Sequence, residues 1–217
     1  MTDFHSGTAA AMRRVGHAAT ATVLVCGLAA CGITIGEPTK TTQESTMQDT
    51  EFSQLDADGV ARIKESGVMR LDFTGDAIAK ADVGLSGSAI APDVVAPDGT
   101  KLALSVQGSN GILSAETDHV RFTSTSSLPD IYVMYYFLTA TNLPDYAQLV
   151  QDGVAAYGMD SDAAERWLDS TEADPGRKSD YSLGSGDKLG FDVGYELSYD
   201  GSKDVQVIVV TVSKPLP

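Results

Sequence analysis

Few side chains in this sequence are equipped for covalent, metal or acid–base chemistry, and most of those lie at one end. Of two cysteines, Cys26 and Cys31, and three histidines, His5, His17 and His119, only His119 falls beyond residue 31. The chain past that point therefore has no disulfide, no thiol nucleophile and too few imidazoles for a multi-histidine zinc site. His119 sits in Asp118-His119-Val120-Arg121-Phe122-Thr123, where Val120 and Phe122 alternate with polar residues. On a strand that alternation places His119 with Arg121 and Thr123 on the solvated face, the setting of a surface histidine and not of a catalytic base.

Carboxylates are more plentiful. Asp160, Asp162, Glu165, Asp169, Glu172 and Asp174 form the densest acidic group. A basic partner, a divalent cation or acid/base work on a substrate would each use such a group, but the spacing is that of a helix start followed by a solvated face. Gln54-Leu55-Asp56-Ala57-Asp58-Gly59, with Glu65 beyond, half-matches a calcium-binding loop. Its first position lacks Asp, its eighth is Ala61, and the apolar stripe of Phe52, Leu55 and Ile63 demands helix there instead. Ser185-Gly186-Asp187-Lys188 has the spacing of a serine–lysine nucleophile pair, but it lies in a glycine-rich stretch before a strand, not at a helix start. The Gly184-x-Gly186 pair precedes no helix, which excludes a dinucleotide fingerprint. No metal or cofactor site is expected. Tyr132, Tyr135 and Tyr136 are candidates to line an apolar groove between sheet and helices, whereas Trp167 falls at core spacing.

These residues need elements to position them. Apolar residues make up 42 % and charged residues 21 % of the 217, enough for a substantial core. The net charge of −15 argues against a nucleic-acid partner, which requires a basic face. Residues 32–49 are rich in Thr, Gln, Glu and Ser and carry too little apolar surface to join a core, as a flexible tether does. A helix is expected over residues 50–65, burying Phe52, Leu55, Gly59 and Ile63 and stopping at Gly67. A strand follows over 68–74, then a helical turn over 76–83 and an irregular stretch over 84–99. Leu102, Leu104 and Val106 face inward from a strand, Asn110-Gly111 turns the chain, and strand continues through Phe122. Residues 131–138 are apolar on both faces, as a central strand is. Pro144 opens a helix that buries Tyr146, Leu149, Val150, Gly153 and Tyr157 and ends at Gly158. Asp160 caps a second, burying Ala164, Trp167 and Leu168. Leu189, Phe191, Val193, Tyr195, Leu197 and Tyr199 then alternate into a hairpin whose second strand is 205–212. The sum is a single α+β domain over residues 50–217, with a mostly antiparallel sheet of five or six strands and helices on one face.

The first 30 residues are processing sequence. Arg13 and Arg14 supply a positive region, and residues 15–28 an apolar one of signal-peptide length, too short to span a bilayer. Met12 is an alternative start that would leave a compact signal. The stretch ends in Leu28-Ala29-Ala30-Cys31-Gly32. Here the chain resembles bacterial lipoproteins, whose lipobox is an apolar residue, two small residues and a cysteine. That resemblance implies a diacylglyceryl group on the Cys31 sulfur, cleavage just before Cys31 and attachment to the outer side of the cell membrane. Cys26 follows Val25, where the signal peptidase needs a small residue, and leaves with the signal. The domain is then expected to be a non-enzymatic binding module with an envelope protein or an apolar small ligand as partner. A carboxylate-based envelope hydrolase is the alternative. Cys31→Ser is expected to abolish incorporation of labelled palmitate and release the protein from membranes, while Cys26→Ser changes neither. Labelling that survives Cys31→Ser would overturn the assignment.

Overall fold

The computed structural model describes residues 51–216. The expected signal segment (residues 1–30) and the expected lipidated Cys31 and tether (residues 31–49) lie outside them.

Each of the three described α-helices begins at a side-chain cap. α1 (Ala57–Ser66) begins where the Asp56 side chain accepts the Gly59 N–H at 2.7 Å, and ends at Gly67, whose left-handed φ of 69° brings its N–H to the Ile63 carbonyl. The expected start at residue 50 is corrected by that cap. Residues 51–56 run extended, with Ser53 N–H donating to Arg70 O and Leu55 N–H to Val83 O, and Phe52 is 42 % exposed. α2 (Leu143–Tyr157) is capped by Asn142, which accepts the Asp145 N–H, and closes on the left-handed Gly158. α3 (Ser161–Ala173) is capped by Asp160, which accepts the Ala163 N–H.

Among the described residues there are eleven strands: β1 (Val68–Asp72), β2 (Ile78–Ala79), β3 (Val94–Val95), β4 (Leu102–Gln107), β5 (Ile112–Thr117), β6 (His119–Thr123), β7 (Asp130–Ile131), β8 (Val133–Ala140), β9 (Ser179–Gly186), β10 (Asp192–Tyr199) and β11 (Gln206–Ser213). They form a six-stranded antiparallel sheet in the order β3-β6-β8-β11-β10-β9, a three-stranded sheet β1-β4-β5 and a β2-β7 pair. Only β1 and β4 run parallel. The described residues thus form one α+β unit, mostly antiparallel, as the pattern predicts. One face of the large sheet, carrying Met134, Tyr136, Leu138, Val210, Val193, Tyr195 and Leu197, is buried; its alternation with half-buried neighbours along β8 and β11 is regular. α2 packs on that face through Tyr146, set edge-on to Tyr199, and Tyr157, set edge-on to Tyr195. α3 adds Trp167 against Tyr146, while α1 packs on β1 and β3.

Three local expectations are corrected. Residues 112–122 are not one strand: β5 pairs with β4, the chain breaks at Asp118, and β6 pairs with β8 in the other sheet. Residues 131–138 divide between β7 and β8, the latter alternating in burial where the sequence is apolar throughout. β9 occupies a stretch read as glycine-rich turn; it is the outer strand of the large sheet, and an extra residue bulges it where Val193 pairs with Gly186 but Tyr195 with Leu183.

The expected helical turn over 76–83 is β2 followed by a 3-10 turn (Lys80–Val83), and it holds a buried charge. Lys80 is 1 % exposed, and its ammonium donates to the carbonyls of Gly87 (2.9 Å), Thr125 (2.7 Å) and Leu128 (2.7 Å). All three of its donors are used, and no carboxylate among the described residues pairs it. Lys80→Met keeps the buried stem but removes the donor that ties the Gly87, Thr125 and Leu128 carbonyls together, so it is expected to destabilise the domain by about 1–3 kcal/mol. A denaturant midpoint unchanged by Lys80→Met would contradict this clamp.

Candidate functional site

Across the buried face of the large sheet, Tyr136 of β8, Val210 of β11 and Tyr195 of β10 stand in one row, because Val210 pairs with both tyrosines. Tyr157, at the end of α2, closes over that row. Its hydroxyl lies 3.3 Å from that of Tyr136, and its ring 6.1 Å from that of Tyr195. The helix approaches this closely because residue 153 is glycine: a Cβ there would stand 2.3 Å from the Tyr195 hydroxyl and 2.4 Å from its ring carbon. The three-stranded sheet comes up beside α2 on the same face, so that β5 touches β8.

Between them lies a cleft of about 390 Å³. Its floor is the tyrosine trio, and its apolar walls are Leu138, Leu149, Ala115 and Ala156. Three charged residues line it: Lys101 ahead of β4, Glu116 on β5 and Asp152 on α2. The Lys101 ammonium donates to Thr139 Oγ1 at 2.9 Å and lies 3.8 Å from the Asp118 carboxylate. Asp152 accepts from Gln148 Nε2 at 2.7 Å. Burial raises the pKa of all three floor tyrosines, that of Tyr136 well above the phenol range. Tyr146 is raised by burial as well, against the lowering effect of the Ser198 N–H, which donates to its hydroxyl.

The tyrosines singled out by sequence divide. Tyr136 is in the floor, Tyr135 lies on the opposite face of β8, and Tyr132 borders a separate depression with Asp76, Asp130 and Pro215. Trp167 is core, as expected, although its indole N–H has no partner. The acidic group does not converge. Asp160 is the α3 cap, Glu165, Asp169 and Glu172 are exposed along the helix, and no three potential metal ligands come together among the described residues. The calcium-like residues belong to α1 and its cap, and the Lys188 ammonium donates to the Ala155 carbonyl, away from Ser185.

His119 does share a face with Arg121, but it is not a free surface histidine. Its side chain is 22 % exposed, its ring stacks 4.9 Å from that of Phe137, and its Nε2 is 3.3 Å from Asp93 Oδ2. Arg121 donates to the same oxygen at 3.1 Å and, with a lesser contribution from His119, holds the Asp93 carboxyl below its usual range against the opposing effect of burial. The carboxylate is thus shared between the Arg121 guanidinium and the His119 ring, which suits a surface brace better than the orientation of a general base.

Lys101, Glu116, Asp152, Gly153, Tyr157 and Tyr195 were not singled out as a site by sequence. Gly153 and Tyr157 were legible as one helix face, but only the strand order reveals what that face meets. No family model, curated protein or solved structure matches this chain.

The buried phenols set an alkaline limit. In the unfolded chain tyrosine ionises near pH 10. In the folded one Tyr136, Tyr146, Tyr157 and Tyr195 hold their protons beyond that. Above about pH 10 the unfolded state therefore binds fewer protons than the native state, and stability falls as pH rises; below it this contribution to stability is fully present. An absorbance titration is expected to show these four phenols ionising only together with loss of the near-ultraviolet dichroism. Their ionisation in a still-folded protein would contradict the packing described.

Proposed function

We propose that this chain is a bacterial envelope lipoprotein, held at the outer side of the cell membrane by a lipidated Cys31, whose domain binds a ligand in the cleft between β5, β8 and α2. The anchor reading rests on the Leu28-Ala29-Ala30-Cys31 motif. Two acyl chains on one sulfur, at about 0.8 kcal/mol per buried methylene, suffice for stable attachment. No described helix is long and apolar enough to cross a membrane. The binding reading is carried by one observation: the cleft combines aromatic and aliphatic walls with a few polar groups and falls within the roughly 300–1,000 Å³ usual for small-ligand sites.

The hydrolase alternative has a specific observation too, since Glu116 and Asp152 line this cleft from different elements. Binding is preferred because neither the paired burial nor the nucleophile–base contact of a hydrolytic site is present there; both carboxylate residues are exposed.

Leu149→Trp would fill the cleft from its partly exposed helical wall. Intact lipidated protein purified from envelopes is expected to carry a small molecule, detectable by mass spectrometry of the extract. The Leu149→Trp protein, with an unchanged melting temperature, is expected to lack it. Equal recovery from both would reject the cleft as the binding site. Loss of a hydrolytic activity in Glu116→Gln alone, with the melting temperature held, would favour the hydrolase.

A further inference from the structure

The charged groups of the cleft are two carboxylates and one ammonium already engaged elsewhere, which restricts what it can hold. This inference rests on reading the cleft as a ligand site. The Tyr136 and Tyr157 hydroxyls lie 3.3 Å apart, so one phenolic proton is spent between them. The phenolic oxygens of the floor keep lone pairs that can accept. Lys101, the one cation in the lining, is already directed to Thr139 and Asp118. Glu116 has no ion-pair partner among the described residues, and the amide of Gln148 leaves the charge of Asp152 uncompensated. Two carboxylates, phenolic oxygens and tyrosine rings thus surround a space walled by Leu138 and Leu149. The chain's net charge of −15 adds an attractive field for cations and a repulsive one for anions.

We infer that the ligand is a small organic cation: an ammonium group on an apolar or aromatic body. Its N–H donors would meet Glu116, Asp152 and the phenolic oxygens, and the apolar body would lie against the leucines and rings, where a desolvated ammonium also gains from the ring faces. An uncharged analogue of the same shape keeps the apolar contacts and loses the charge complementarity. An anion faces two like charges.

Three probes of common shape separate these terms: phenethylamine, 2-phenylethanol and 3-phenylpropionate, each titrated calorimetrically at pH 7 into the full lipidated chain in a non-ionic detergent. Phenethylamine is expected to bind about tenfold more tightly than the alcohol, and the carboxylate not at all. The double variant Glu116→Gln/Asp152→Asn is expected to lose about tenfold for the amine and little for the alcohol. Both positions are exposed, and a dichroism melt checks that the variant folds. Equal binding of amine and alcohol, unaltered in the double variant, would overturn the cation inference and leave the binding cleft standing. Tighter binding of the carboxylate would overturn it as well. Amine binding that survives Leu149→Trp would place the cation elsewhere. Binding of none of the three would overturn both the cation inference and the cleft.

Discussion

At Thr117 the chain leaves the three-stranded sheet, and by His119 it has entered the six-stranded one, so the backbone groups at the crossing need partners other than a continuous ladder. Thr117 is 0 % exposed, and its hydroxyl takes the place of the missing ladder partners. Its oxygen accepts from the N–H groups of Phe137 and His119 at 3.2 Å, and lies 2.9 Å from the carbonyls of both, donating to one at a time. The neighbouring registers, Leu102 with Thr117 and Val120 with Tyr136, remain intact on either side. That crossing sets how β5 stands beside β8, and so how the end of β5 comes to line the cleft with Tyr136 and Leu138. The cleft is the space left by this change of sheet.

The same economy governs the other wall. α2 is drawn onto the sheet by Tyr146 and Tyr157, and Gly153 lets it approach until backbone meets the Tyr195 ring. A larger residue would lift the helix and widen the space, so the cleft's dimensions depend on one absent methyl group as well as on three rings. Interiors packed this tightly deform little. The floor is therefore a preformed surface that a ligand meets without ordering it first.

Legibility in the sequence follows how locally each feature is determined. α2, α3 and the β10–β11 hairpin were readable because caps, stops and alternation lie within a few residues of what they specify. The start of α1 was misplaced because Asp56 competes for the backbone and wins over the apolar spacing of Phe52 and Leu55. The break at Asp118 has a trace in the sequence: inward positions are odd-numbered at Leu113 and Thr117 and even-numbered at Val120 and Phe122, a change of phase one continuous strand cannot make. β9 left almost no trace, since only Leu183 and Gly186 along it are buried. The tyrosine trio was illegible for a different reason. Its members come from three elements, and β11 enters the sheet between β8 and β10 although it follows both in the chain.

The two margins of the large sheet also bear on how the molecule behaves beside its neighbours. One margin is β3, only two residues long; the other is β9, interrupted by its bulge and carrying near its start Asp180, paired with Lys178 just ahead of the strand. A margin that short, or that twisted and charged, is a poor template for a strand from another chain. On the membrane anchor proposed above, copies would meet at high local concentration, where sheets with long, flat margins would zip together. These blunted margins oppose such fibre-like association while leaving the tyrosine-floored cleft, on the sheet's inner face, untouched.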